Sequence, residues 1–272
     1  MSSCHNLLEN NMRRLKKLIR TLLTLAILAM LIFGLVTIWR HFDKEPTSSL
    51  PAAQKTAKAA TPPPPPSFNK KLYPIDNPNS IWIVVNKLRP LPKNFVPAQL
   101  VAPAVPLRLN SSASEMQVSR VMDLPLQNLF AAAKAAGFSL MLNSGYRSYT
   151  FQNQLFNYYV KQSGQAAAEQ SSARPGYSEH QTGLAADVGL SNSQCQIQQC
   201  FGDTPAGKWL AANAYSYGFI IRYTHAKQAI TGYEYEPWHI RYIGGILAKE
   251  MHDVAVETLE EFFGLPPAPD YQ

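Results

Sequence analysis

Pro237 follows Glu236 directly and stands two residues before His239, and a proline disfavours helical backbone at the residue preceding it. A carboxylate and an imidazole three residues apart would share one face of a helix. Here they must converge through extended or turning backbone instead. A second polar stretch, Ser178-Glu179-His180-Gln181-Thr182-Gly183-Leu184-Ala185-Ala186-Asp187, lies about fifty residues upstream and sets a histidine and an aspartate around a glycine. His180, Asp187, Glu236 and His239 together supply two imidazoles and two carboxylates. That is one group more than a catalytic zinc needs when one position stays open to water. The surplus carboxylate is a candidate base, and a chain that builds such a centre must fold two remote segments against each other.

Charge is distributed unevenly along the 272 residues. The net charge is +7 overall, but residues 1–39 carry +4, residues 40–71 carry +4 and residues 72–272 carry −1. The basicity therefore belongs to the N-terminal part, and the nearly neutral remainder excludes a nucleic-acid-binding domain. Arg13, Arg14, Lys16, Lys17 and Arg20 precede an uncharged apolar run from Leu22 to Trp39. As a helix that run rises about 27 Å, close to the roughly 30 Å hydrocarbon core. We expect a cytoplasmic N-terminus (1–21), a single membrane-spanning anchor (22–39) and everything beyond it outside the cell membrane, because the basic cluster outweighs Arg40 and Lys44. A cleaved secretory signal is the competing reading, against which the length of the run counts. Residues 40–71, with Pro62-Pro63-Pro64-Pro65-Pro66, lack the apolar content to pack and are expected to extend as a spacer.

Residues 72–272 form the expected domain. Ser80–Asn86 reads as a short strand, Glu115–Gly137 as an amphipathic helix beginning in earnest at Pro125 with Asp123 near its cap, and Phe138–Asn143 as a strand. A helix from about Thr150, a helix Thr204–Tyr217, strands at Phe219–Tyr223 and around Gly232–Glu236, and a final helix from about Ile240 to Phe263 follow. Without a βαβ rhythm, this mixture predicts an α+β fold with a small, mainly antiparallel sheet and flanking helices.

Ser144-Gly145-Tyr146-Arg147-Ser148, Ser178-x-His180-x-x-Gly183-x-Ala185-x-Asp187 and Glu236-Pro237-Trp238-His239-x-Arg241-Tyr242 resemble, in order and spacing, the VanY-like zinc D-alanyl-D-alanine carboxypeptidases. The likeness runs from about Ile81 to Leu265. It implies a fold related to the hedgehog signalling domain and D,D-peptidases, and removal of D-alanine from peptidoglycan stem peptides. His180, Asp187 and His239 would bind one Zn²⁺, and Glu236 would take the proton of the attacking water and pass it to the leaving amine. Arg147 would clamp the substrate's terminal carboxylate with a planar fork. The resemblance adds Gln152, Ser178, Tyr223 and Trp238, which either contact substrate or serve structurally; Ser178 could also cap a turn. L,D-carboxypeptidases acting on tetrapeptides share the pattern, and a silent module binding wall peptides is the alternative that Glu236 speaks against.

The remaining polar residues have plainer readings. His225 and His252 are expected at the surface, Tyr233 and Tyr235 in core or cleft wall, Arg174 and Tyr177 in a loop, and Glu257, Glu260 and Glu261 on the solvent face of the last helix. Cys195 and Cys200, in a polar loop outside the membrane, are a candidate disulfide. No obligate protein partner is inferred.

Overall fold

A computed structural model describes residues 68–272. The expected membrane helix and nearly all of the linker lie outside them, and among the described residues no helix is long and apolar enough to cross a membrane. Phe68 already packs: its ring lies 4.7 Å from that of Tyr73 and meets Phe262 edge-on at 5.6 Å.

Ser80–Asn86 is not the expected strand. Ile83, Val84 and Val85 are buried as its apolar pattern requires, yet the carbonyls of Ile81 and Ile83 accept from the Arg241 guanidinium and that of Val84 from Arg89. Two side chains thus occupy acceptors that a neighbouring strand would use. β1 (Leu100–Val101) and β2 (Val118–Ser119) pair antiparallel and lead into α1 (Arg120–Ala135). The helix starts after Ser119, five residues before Pro125, rather than at the proline with Asp123 as cap. Pro125 withholds an N–H from the carbonyl of Val121. Val121 itself is 45% exposed, so the interruption lies on the solvent side of the helix.

The chain continues through β3 (Leu140–Ser144), α2 (Tyr149–Ser163), the unanticipated α3 (Gln165–Ser171), β4 (Ala185–Leu190), α4 (Pro205–Asn213) and β5 (Phe219–Tyr223). It ends with α5 (Gln228–Thr231), β6 (Glu236–Tyr242), α6 (Gly245–Asp253) and α7 (Leu259–Phe263). The strand expected around Gly232–Glu236 therefore begins where it should have stopped. The single helix expected from Ile240 is two shorter ones, because Ile240 and Arg241 pair with both β4 and β5, and Gly244, at φ 82°, turns the chain before α6. Pro237 fits in β6 because pairing with β4 starts only at His239 and the ladder to β5 is irregular beside it.

The four-stranded sheet has the order β3-β4-β6-β5, every pair antiparallel, so the domain is mixed α and β with small antiparallel sheets. Met122, Leu126, Leu129 and Phe130 of α1 and Leu210 of α4 form one core with Leu142, Ala186, Val188 and Ile240 of the sheet. Since strand residues alternate between faces, Asp187 and His239 point away from these helices. They are direct cross-strand partners. A second core joins Val84 and Ile243 to α6 and α7 through Leu247, Met251, Leu259 and Phe262.

Candidate metal centre and active site

The site is assembled where two tight backbone passages meet the face of the sheet turned away from α1 and α4. After β3 the chain passes so close to Gln117 that a Cβ on Gly145 would lie 2.2 Å from the Gln117 carbonyl oxygen. The Gly145 carbonyl lies 2.6 Å from His180 Nδ1, and because a carbonyl can only accept, that nitrogen carries the proton. His180 stands on a 3₁₀ turn, Glu179–Thr182, closed by Gly183 in the left-handed region at φ 67°. Its bare Nε2 faces Asp187 Oδ1 at 3.4 Å, and His239 Nδ1 approaches the same oxygen at 3.4 Å.

One ligand atom from each of His180, Asp187 and His239 lies within 4.8 Å of the others, and all three residues are buried. His180 Nε2 and Asp187 Oδ1 are buried without a hydrogen-bond partner. Two orphaned lone-pair donors and a third beside them fit a divalent cation that takes nitrogen and oxygen ligands. Glu236, the first residue of β6, brings Oε2 to 3.6 Å from His239 Nδ1.

The protein's own charges prepare this donor set. Burial and the nearby Arg147 guanidinium push His180 down to about 4, so it is neutral at neutral pH. Burial alone would raise Asp187, but His180 and Arg147 hold it well below the usual carboxylate range. Burial would likewise lower His239, yet the Asp187 and Glu179 carboxylates beside it raise it to about 9. A cation bound there must displace that proton. Burial pushes Glu236 up to about 8, opposed by His239.

Arg147 leaves the β3 loop and donates to Asp187 Oδ2 at 3.1 Å and Gln152 Oε1 at 3.2 Å. Gln152, in the first turn of α2, is buried behind Arg147 and donates onward to the Ala173 carbonyl, so it props the arginine rather than lining the cleft. Ser178 and Tyr223 line a small cavity of about 40 Å³ with Arg147, Tyr233, Glu236 and His239. Ser178 makes no side-chain cap bond to the turn that follows it. Trp238 lines a larger cavity of about 290 Å³ with Arg108, Phe151 and Tyr159, and Arg147 and Glu236 border both spaces. Cys195 and Cys200 are joined by a disulfide with Cα atoms 5.6 Å apart.

A buried charge cluster with no motif of its own in the sequence lies beneath His180, Asp187 and His239. Glu179, fully buried, accepts from Arg222 Nε and Arg241 Nη1 at 2.8 Å each and faces His239 Nε2 at 3.4 Å. Glu260, expected in solvent, is fully buried and takes two bonds from Arg222, at 2.7 and 3.0 Å, and one from Asn86. The correction has a simple cause: α7 is one and a half turns long and turns Leu259, Glu260 and Phe262 inward together. Glu257 is exposed and Glu261 pairs with Lys227. His225 and His252 are exposed, stacked on Tyr235 and Tyr215.

Residues 115–245 match the family described as VanY: D-alanyl-D-alanine carboxypeptidase. The chain belongs to this family and is a metallocarboxypeptidase by class. Among known proteins, the putative carboxypeptidase YodJ of Bacillus subtilis (strain 168) is 43% identical over 189 residues, covering 70% of this chain and 69% of that one. The solved structure of the LdcB LD-carboxypeptidase aligns with a TM-score of 0.65 at 43% identity, over 69% of this chain and 87% of that chain. A mutant of the vancomycin resistance D,D-pentapeptidase VanY from a VanB-type cassette, solved in complex with Zn(II), aligns with a TM-score of 0.53 at 34% identity, over 66% of this chain and 97% of its own.

Proposed function

We propose that residues 72–272 remove the C-terminal D-alanine from peptidoglycan stem peptides as a zinc D-alanyl-D-alanine carboxypeptidase, with His180, Asp187 and His239 holding the ion. Bound there, Zn²⁺ would lower the pKa of a coordinated water and polarise the scissile carbonyl. Glu236 takes the water's proton and returns it to the leaving amine. Glu236, held among Arg147 and His239 beside the three ligands, would serve as that base in its ionised form. Arg147 clamps the terminal carboxylate, using donors not spent on Asp187 and Gln152.

The observation that carries this reading is the unequal pair of cavities bordered by Arg147 and Glu236. The smaller, about 40 Å³, has room for a few waters' worth of substrate beside Arg147. The larger, about 290 Å³, takes an extended chain along Phe151, Leu155 and Tyr159. One small terminal residue on one side of the scissile bond and a peptide on the other is the shape of a carboxypeptidase substrate. A second reading, L,D-cleavage of tetrapeptide stems, is favoured by the greater likeness to LdcB than to VanY. We further place 22–39 across the membrane, N-terminus in the cytoplasm and the domain facing the wall, on the strength of the basic cluster before the apolar run.

The test is D-alanine release, followed by mass spectrometry, from free pentapeptide and tetrapeptide stems with and without a chelator. Chelator-sensitive cleavage of the pentapeptide alone supports D,D-specificity, and cleavage of the tetrapeptide supports the second reading. A zinc-loaded protein that cuts neither refutes both.

A further inference from the structure

We propose that Glu179 is a positioning residue that fixes the tautomer of His239, turning Nδ1 toward the metal position, and that Arg222 and Arg241 hold the Glu179 carboxylate in the place this requires. The proposal rests on the metal centre described above and goes beyond its three ligands. Three donors converge on the Glu179 carboxylate: Arg222 Nε and Arg241 Nη1 on Oε1, and His239 Nε2 on Oε2. The two guanidinium groups occupy Oε1, which leaves Oε2 to accept from His239 Nε2. With an acceptor opposite Nε2 the imidazole keeps its proton there, so the proton that a cation displaces is the one on Nδ1, beside Asp187 and Glu236.

The arginines cannot easily turn elsewhere. Arg241 also binds the carbonyls of Ile81, Ile83 and Tyr242, and Arg222 is forked onto Glu260. The orienting carboxylate is therefore clamped from β5, from β6 and, through them, from α7 and the irregular segment before β1. One short turn presents both a ligand, His180, and the residue that orients the other ligand histidine.

Glu179→Gln makes this testable, because an amide has one oxygen. The two arginines claim it, which leaves the NH₂ group facing His239 Nε2. That nitrogen must then accept, moving the proton to Nδ1, where it opposes metal binding. Zinc affinity, read by competition with a chromophoric chelator, should fall roughly 10–100-fold in Glu179→Gln. In Met251→Ala, which weakens the core under α6 and makes none of these contacts, affinity should stay within about threefold of wild type. Unchanged affinity in the first variant, or an equal fall in both, would overturn the proposal.

Wild-type protein gives a test that needs no variant. The chain has six histidines, so ¹⁵N-histidine spectra of full-length protein loaded with ¹¹³Cd are assignable. Cadmium coupling to His239 Nδ1, with Nε2 protonated, supports the proposal. Coupling through His239 Nε2 refutes it while leaving the metal centre intact. Absence of coupling to both His180 and His239 removes the metal centre, and the proposal with it.

Discussion

Arg147→Lys separates a carboxylate clamp from a general structural arginine. Arg147 already gives one bond to Asp187 and one to Gln152, and its Nε is buried without a partner. Lysine keeps the charge but loses the fork, so it cannot hold Asp187 and grip a substrate carboxylate at once. A hydrogen bond to a charged group contributes about 1.5–3 kcal/mol. At about 1.36 kcal/mol per factor of ten, the loss in kcat/KM on a stem peptide with a free C-terminus is roughly 10- to 150-fold. Zinc stoichiometry, measured on the same sample, checks that Asp187 still serves the ion. The discriminating comparison is a peptide amidated at its C-terminus, slow for both proteins, on which the variant should match wild type within about twofold. An equal loss on both peptides would refute the clamp.

Glu236→Gln should lower kcat at least roughly 10²-fold while zinc content by atomic emission stays at one per chain, since it removes a base and not a ligand. Glu260→Gln removes the charge opposite Arg222, takes one of its three carboxylate hydrogen bonds and turns an amide NH₂ against a guanidinium nitrogen, and by the usual cost of breaking a buried pair it should lose about 3–5 kcal/mol, a fall in Tm of roughly 6–20 °C at pH 7. Burial raises the Glu260 carboxyl, but Arg222 and the Asn86 hydrogen bond together bring it below the usual 4.5, so the contribution of the pair is present above that pH and lost as the pH falls through the folded value. The Tm gap between wild type and variant should therefore narrow on acidification below about 4.5, and a gap independent of pH would refute the assigned pairing.

The chemistry of the site was far more legible than its support. His180, Asp187, Glu236 and His239 stand in short motifs whose residue types have few other uses together, and Pro237 correctly forbade a helical arrangement. Ser80–Asn86 misled because its strand-like apolar pattern is real, while its hydrogen-bond partners are the side chains of Arg241 and Arg89, over 150 residues away and beside it respectively. Periodicity reports burial, not which group satisfies the backbone. Glu179 and Glu260 were overlooked for the same reason: a carboxylate in a short helix looks solvent-bound unless its cation is known, and Arg222 comes from β5. Arg241 stood inside a recognised motif, and its presence two residues after a ligand in an alternating strand was the one available sign of a buried partner.

Asp187 and His239 also make the centre a gauge of how the sheet was assembled. Slipping β4 against β6 by one residue would carry one of the two side chains to the helix-covered face. A mispaired chain then has no place for the ion, whereas an ion present while the strands are still exchanging partners withdraws the correctly paired form from the pool by mass action. With the proposed centre, metal supplied during refolding should raise the yield of correctly paired sheet, and metal added afterwards should only fill what has already paired.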